Sequence, residues 1–197
     1  VQLGFHILSE IVEDGQKKME TVLVAAKREL IVSRLEILQG AGLTPTIIDV
    51  DSFAIENIHE KMRDAKEALG ATLYLNIGHV VTNLSIVENG VTRVVRDMFV
   101  SGSTMTKAIM KAFQCDAAKA EELKHSRGVF VDPAEKEKAL ADGDRDGLGV
   151  SQAVGQVARD LVSEVHRSVD FYLSQGPDRS IGRIMLAGGT ARLKNLD

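Results

Sequence analysis

The chain opens with two strand-like runs of hydrophobic residues. Residues 5–8 and 21–25 are rich in β-branched and other apolar side chains, and the polar stretch 13–16 between them is typical of a turn. Two such runs on either side of a turn predict a β-hairpin at the start of the chain.

A helical period follows the second run. Apolar residues recur at helical spacing after Lys27. They are Leu30, Ile31, Leu35 and Leu38. Gly40 and Gly42 are expected to end this helix, and residues 46–50 (Thr-Ile-Ile-Asp-Val) have the composition of a further strand. The pattern therefore predicts a small α+β subdomain over residues 1–50.

A connecting helix over residues 51–70 leads to a change of pattern. Three alternating runs then follow, at 71–78, 82–87 and 91–95. Asn89-Gly90 separates the last two, and this dipeptide favours a tight hairpin turn because both residues tolerate positive φ. We expect a three-stranded antiparallel meander.

Four segments follow the meander, and two of them, 105–113 and 151–175, have helical apolar faces. Residues 105–113 place apolar side chains at i, i+3, i+4, i+7 and i+8, so we expect a helix that packs on the sheet. Asp116 is expected to cap a short helix that runs to Lys124. Residues 127–149 turn polar and glycine-rich, which predicts a loop or a small excursion. Residues 151–175 repeat apolar positions over about five turns and predict the longest helix.

Three glycine-containing turns stand at the ends of predicted elements. Asn76-Ile77-Gly78 ends one strand, Ser101-Gly102 precedes a helix, and Gly188-Gly189 follows an apolar run at 181–187 that predicts a buried strand. Each turn alone fits a glycine that simply closes a loop. As a set, turns that precede helices favour a cradle for phosphate or nucleotide, because backbone N–H groups can face an anion there.

Composition excludes several classes of function. The chain has 197 residues, 44% of them hydrophobic, and so is large enough to bury a sizeable core. Lysine and arginine total 24 against 28 acidic residues, a balance that does not favour electrostatic capture of nucleic acid. No apolar run approaches the roughly 20 residues of a membrane span, so we expect any membrane link to run through a partner. The single cysteine fits a reducing compartment, the cytoplasm.

Two possible metal sites have weak support. Residues 142–147 match the opening of a calcium-binding loop, but the twelfth position is Ala153, where a bidentate glutamate is required. A solvated acidic loop is the favoured interpretation. The five histidines are scattered without the spacing of a zinc site.

Six segments form a further pattern across the chain. They are 22–27 (Val-Leu-Val-Ala-Ala-Lys), 41–54, 76–85 (with Asn-Ile-Gly and Thr-Asn-Leu-Ser), 120–124 (Ala-Glu-Glu-Leu-Lys), 167–172 and 186–193 (Leu-Ala-Gly-Gly-Thr-Ala-Arg-Leu). In this order they resemble the actin-like ATPases of the bacterial cell-division and pilus branch, most closely the PilM family of type IV pilus assembly proteins. The resemblance implies an α/β (α+β) fold: residues 71–197 form an actin-like, ribonuclease H-like lobe with a mixed sheet, and residues 1–50 form most of a small inserted subdomain.

The resemblance also assigns cofactor-binding roles. It places Asn76 and Gly78 in the second phosphate turn and Gly188 and Gly189 in the adenosine turn. It makes Glu121 and Lys124 the adenine and ribose contacts, Gly102 part of the helix-start turn, and Asp97 an acid near Mg²⁺. The family's first ATP motif, an Asp-x-Gly turn, would precede Val1, so we interpret the chain as part of a longer protein that binds ATP and Mg²⁺ when intact.

Two departures from the family pattern concern hydrolysis. Asn76 stands where an aspartate is usual, which removes a carboxylate that would orient Mg²⁺-bound water. Ser101 replaces one of two paired glycines, which limits how closely a phosphate can approach the backbone. We therefore assign no catalytic residue.

The function implied is that of a scaffold. The resemblance predicts a cytoplasmic protein, peripheral on the inner membrane, that binds the cytoplasmic tail of a PilN-type bitopic partner and other proteins of the pilus platform or motor. Self-association stays open. The alternatives are an active ATPase or phosphotransferase of the same superfamily, and a division-type filament protein.

Overall fold

The computed structural model describes residues 1–62 and 70–196. The chain divides into two compact units, Val1–Val50 and Asp51–Asp197. Each unit has its own secondary structure and is described separately below.

The first unit is a long hairpin and one helix. Strands β1 (Gln2–Glu13) and β2 (Gln16–Ala26) pair antiparallel, and Asp14 and Gly15 form the turn with φ of +53° and +75°. Both strands extend well beyond the runs that predicted them. Helix α1 (Arg28–Gly40) follows, and Gly42 lies beyond its end with φ of +77°. The hairpin and the helix stop are confirmed.

The strand predicted at residues 46–50 is wrong. These residues have no regular secondary structure. A strand requires hydrogen bonds to a neighbour, and in the described part of the chain β1 and β2 pair only with each other. Apolar β-branched composition therefore produced a false strand signal here.

The second unit begins with helix α2 (Asp51–Met62). The predicted connecting helix extended to Gly70, and its last part, residues 63–69, lies outside the described residues.

A four-stranded mixed sheet forms the centre of the second unit. Strands β3 (Ala71–Ile77), β4 (Thr82–Glu88) and β5 (Val91–Met98) form the predicted antiparallel meander, and β6 (Ile181–Ala187) pairs parallel to β3. The strand order is β5-β4-β3-β6. Asn89 and Gly90 form the tight turn between β4 and β5 with φ of +52° and +80°.

Four helices lie between β5 and β6 along the chain: α3 (Gly102–Phe113), α4 (Ala117–Arg127), α5 (Pro133–Ala141) and α6 (Arg145–Ser174). Asp116 caps α4, its carboxylate accepting from the N–H of Lys119 at 2.8 Å. Of the two alternatives predicted for residues 127–149, a loop or a small excursion, the loop is wrong, because α5 and the start of α6 occupy much of this segment. Asp132, Pro133 and Asp144 are helix-start signals within that polar stretch.

Two hydrophobic clusters share helix α6. The sheet cluster includes Leu73, Ile77 and Leu84 and receives Leu161 and Tyr172 from α6. In the helical cluster, Met105 and Ile109 of α3 pack with α4 and with Val154 of α6. The apolar stripe predicted for α6 is thus confirmed. We expected α3 to pack on the sheet, but its main packing partners are α4 and α6.

Strand β6 is less buried than its apolar sequence predicts. It lies at the edge of the sheet, and Ile184 and Leu186 are 59% and 40% exposed. A mostly apolar run, here interrupted only by Gly182 and Arg183, predicts a strand covered on both faces, but within the described residues β6 has a strand neighbour on one side only.

Candidate functional site

The three glycine turns follow strands that run in one direction. Strands β3, β5 and β6 are mutually parallel because β4 is antiparallel to both of its neighbours. Their carboxyl ends therefore meet at one edge of the sheet. In open α/β sheets this edge is where ligands bind.

Hydrogen bonds connect the three turns. The N–H of Gly102 donates to the carbonyl oxygen of Gly78 at 3.0 Å, and the hydroxyl of Thr190 donates to the same oxygen at 3.1 Å. The N–H of Ser103 donates to the carbonyl of His79 at 2.7 Å. The first two N–H groups of α3 thus hold the turn after β3, and the three turns form one assembly.

Two glycines stand where the turns approach each other most closely. Gly188 has φ of +88°, and a Cβ there would lie 2.5 Å from the carbonyl oxygen of Ile77 and 2.6 Å from Oδ1 of Asn76. A Cβ at Gly102 would overlap the hydroxyl of Thr190 and lie 3.2 Å from the Gly78 carbonyl oxygen. Contacts this short leave no room for a side chain at either glycine, so the neighbouring turn packs directly against the glycine backbone.

Glu121 and Lys124 of α4 reach the same assembly. Lys124 is 6% exposed, and its Nζ donates to Oε1 of Glu121 at 2.8 Å, to the hydroxyl of Thr106 at 2.9 Å and to the carbonyl of Gly102 at 3.4 Å. Three protein oxygens therefore satisfy the three donors of this buried ammonium. Lys124 joins α4 to the first turn of α3.

The carboxylate of Glu121 is held in its charged form. Partial burial raises the pKa of Glu121, but hydrogen bonds from Lys124 and Thr106 and the positive charge of Lys124 outweigh burial. The net effect lowers the pKa below its ordinary value of 4.5. Oε2 lies 3.4 Å from Nε2 of His125, and the Glu121 side chain is 34% exposed. One edge of this carboxylate thus faces away from the buried lysine.

A row of polar side chains crosses the sheet beside the turns. Asn76 of β3 lies opposite Asn83 of β4, which lies opposite Asp97 of β5. Nδ2 of Asn76 donates to Oδ1 of Asn83 at 3.0 Å, and Nδ2 of Asn83 donates to Oδ1 of Asp97 at 2.8 Å. Asp97 is thereby joined to the turn that begins at Asn76.

The structure brings all the sequence-predicted site residues into one region. Asn76, Gly78, Gly102, Gly188 and Gly189 lie in the three turns, and Lys124 joins α4 to Gly102. Sequence reasoning missed three linking residues, which are Asn83, Thr106 and Thr190. Thr106 follows Gly102 by one helical turn, a spacing visible in the sequence. Asn83 comes beside Asn76 only through strand pairing, and Thr190 reaches Gly78 only once β6 lies beside β3.

The acidic segment at 142–147 has a structural use. Oδ1 of Asp144 accepts from the N–H of Gly147 at 3.0 Å, which caps α6, and Oδ2 lies 3.3 Å from Nη1 of Arg127.

Across residues 1–62 and 70–196, histidine, cysteine and acidic side chains form no group of three that could hold a metal ion. In the same residues no helix has the length and hydropathy needed to cross a membrane.

Comparison with solved structures defines the class of fold. The chain is similar to MreB 5 of Spiroplasma citri bound to AMPPNP, with a TM-score of 0.51 and 15% identity over 79% of this chain and 57% of that one. It is also similar to Ta0583, an archaeal actin homolog in complex with ADP, with a TM-score of 0.53 and 10% identity over 77% of this chain and 47% of that one. The fold is therefore actin-like.

The family follows from a closer likeness. The family model described as type IV pilus assembly protein PilM matches residues 1–197. The chain is also similar to a structure described as a PilM-PilN type IV pilus biogenesis complex, with a TM-score of 0.74 and 28% identity. That match covers 99% of this chain and 51% of the other, so the chain spans about half the length of its counterpart. The chain belongs to the PilM family of type IV pilus assembly proteins, as its sequence resemblance predicts.

Proposed function

We propose that this chain is part of a cytoplasmic scaffold of the type IV pilus inner-membrane platform. The scaffold holds the cytoplasmic tail of a PilN-type bitopic protein and connects it to other platform or motor proteins. The observation that supports this most directly is the 28% identity over 99% of the chain to a protein described in complex with PilN. Attachment to the membrane then runs through the partner.

Nucleotide binding is the second part of this proposal. In the intact protein, the turns after β3 and β6 would hold ATP with its Mg²⁺, with Asn76 and Gly78 in the turn on the phosphate side and Gly188 and Gly189 in the turn on the adenosine side. The support is the meeting of three turns at the carboxyl edge of the sheet, with a close backbone approach at Gly188. Mg²⁺ supplies charge neutralisation of the phosphates when it is bound.

Titration of a partner peptide tests the scaffold role. A fluorescently labelled peptide with the cytoplasmic tail sequence of the PilN-type protein from the same genome is titrated with the intact gene product, and anisotropy is recorded. We expect saturable binding that unlabelled peptide reverses and that a scrambled peptide of the same composition lacks. Equal binding of both peptides, or no saturation, would refute the partner assignment.

Calorimetry tests the nucleotide site separately. The intact gene product is titrated with ATP in Mg²⁺ buffer, with Mg²⁺ buffer alone as the blank. We expect a heat of binding with a stoichiometry near one. An isotherm indistinguishable from the blank would eliminate the nucleotide site and leave the scaffold role to the peptide experiment.

Hydrolysis is the alternative that Asp97 supports. Asp97 lies at the same edge as the turns and joins the row of Asn83 and Asn76. Asn76 is the argument against hydrolysis, because its amide has no charge with which to orient metal-bound water. Phosphate release by the intact protein, measured against a buffer blank, decides this alternative, and a rate equal to the blank rejects it.

A further inference from the structure

The polar row across β3, β4 and β5 has a direction. Asp97, Asn83 and Asn76 are consecutive cross-strand neighbours, joined by hydrogen bonds of 2.8 Å and 3.0 Å. An ionised carboxylate only accepts hydrogen bonds, whereas an asparagine amide has one donating and one accepting end. The carboxylate at one end of the row therefore determines the orientation of both asparagine amides.

The donor and acceptor roles follow from Asp97. Because Asp97 can only accept, Asn83 must direct its NH₂ group towards β5. Its oxygen Oδ1 then faces β3, so Asn76 must direct its own NH₂ group towards Asn83. The remaining end of the Asn76 amide, Oδ1, is the one that points away from the row.

This oxygen lies at the glycine turn that follows β6. Oδ1 of Asn76 is so close to Gly188 that a Cβ there would lie 2.6 Å from it. No described residue donates a hydrogen bond to this oxygen. Asn76 thus presents an acceptor at the point where the turns after β3 and β6 meet.

We propose that Asp97 is a positioning residue that sets the amide of Asn76, through Asn83, so that Asn76 offers an oxygen and not an NH₂ group to the ligand of the turns. The inference rests on the proposed nucleotide site for the identity of that ligand. An amide oxygen repels a phosphate oxygen but accepts from a hydrogen-bond donor or from water bound to a divalent cation. Asn76 is therefore directed at the hydrated cation of a metal-bound nucleotide and not at the phosphates themselves.

Asp97→Asn tests the direction of the row. An amide at position 97 can donate as well as accept. The amide groups of Asn83 and Asn76 can then also adopt the flipped orientation, in which Asn76 presents its NH₂ group to the turns. Asp97 is exposed, so the substitution leaves the core intact. Asp170→Asn is the matched control, because Asp170 is also exposed and the same charge is removed on α6, away from the row.

The first readout is the side-chain amide spectrum of the ligand-free protein. Asn76 and Asn83 signals are assigned by their loss in Asn76→Ser and Asn83→Ser. We expect Asp97→Asn to shift or double both sets, with little change in the backbone signals of β3 and β4, and Asp170→Asn to leave them unchanged. Side-chain signals that stay in place in Asp97→Asn would overturn the inference.

The second readout is the affinity for ATP with Mg²⁺ and with EDTA. We expect Asp97→Asn to weaken binding of ATP with Mg²⁺ by about threefold or more and to change binding of metal-free ATP by less than about twofold. Equal weakening in both conditions would overturn the inference. If the unaltered protein binds ATP in neither condition, the proposed nucleotide site fails, and the amide spectrum still decides the role of Asp97.

Discussion

The hydroxyl of Tyr172 donates a hydrogen bond to Oε1 of Glu88 at 2.7 Å, which joins the last part of α6 to the end of β4. Tyr172 is completely buried, and the guanidinium of Arg179 lies 5.0 Å from the centre of its ring. Oε2 of Glu88 accepts from Nε of Arg93 on β5 at 3.2 Å. One carboxylate thus connects two strands and the long helix at the end of the sheet opposite the glycine turns.

Tyr172→Phe measures how much the hydrogen bond between Tyr172 and Glu88 contributes to the free energy of unfolding. Phenylalanine fills the same space, so the main loss is one hydrogen bond to a charged group, and we expect the free energy of unfolding in urea to fall by about 1 to 2 kcal/mol. A double-mutant cycle with Glu88→Gln isolates the pair. Single-variant losses that simply add in the double variant would show that the two groups do not interact.

Acid should reduce the stability of the fold through the Glu88 carboxylate. The hydrogen bond from Tyr172 lowers the pKa of Glu88 below 4.5, and Arg179 and Arg93 add to this against the opposing effect of burial. A carboxyl with a lower pKa in the folded state stabilises fully above its unfolded pKa and loses that contribution as the pH falls through the folded pKa. We expect the difference in unfolding free energy between the parent and Glu88→Gln to be constant at neutral pH and to shrink below about pH 4.5. A difference that does not change with pH would contradict this.

Local patterns predicted several elements correctly because local chemistry determines them. Asn89-Gly90 requires only two residues with positive φ, and the stripe through Val154, Leu161 and Tyr172 requires only a helical period. Whether residues 46–50 form a strand, and how deeply β6 is buried, depend on neighbouring strands. No local pattern specifies those neighbours. The sequence predictions for both segments failed for this reason.

The candidate site shows the same division. Glycine turns at the ends of strands are visible in the sequence, and their meeting follows once three of the strands are known to run in one direction. The environment of Lys124 could not be predicted. Its spacing from Glu121 places both on one helix face, but only the packing of α3 on α4 surrounds the ammonium with Thr106 and the Gly102 carbonyl.

Lys124→Met should destabilise the protein markedly. The substitution removes a buried ammonium and leaves Glu121 and Thr106 without their shared partner, so we expect the free energy of unfolding to fall by about 2 to 3 kcal/mol. The matched control is Lys119→Met on the same helix, because its pair with Glu122 at 3.0 Å is 52% and 68% exposed. Such exposed pairs contribute about 0 to 1 kcal/mol. Urea denaturation of both variants checks the contrast, and similar losses would refute the special role of Lys124.

Gly188→Ala and Gly189→Ala form a matched pair at the edge of the sheet. Gly188 has φ of +88° and no room for a Cβ, whereas Gly189 has φ of −64° and nothing within 4 Å of the Cβ position.

We expect Gly188→Ala to reduce the free energy of unfolding by about 2 kcal/mol, because alanine is strained at positive φ and its methyl group meets the Ile77 carbonyl. Gly189→Ala should stay within about 0.5 kcal/mol of the parent. In the intact protein at a temperature where both variants are folded, Gly188→Ala should also weaken ATP binding by about tenfold or more, since the turn must move to admit the methyl group. Thermal unfolding and calorimetry test the two parts, and equal behaviour of the two variants would refute the close approach of the turns at Gly188.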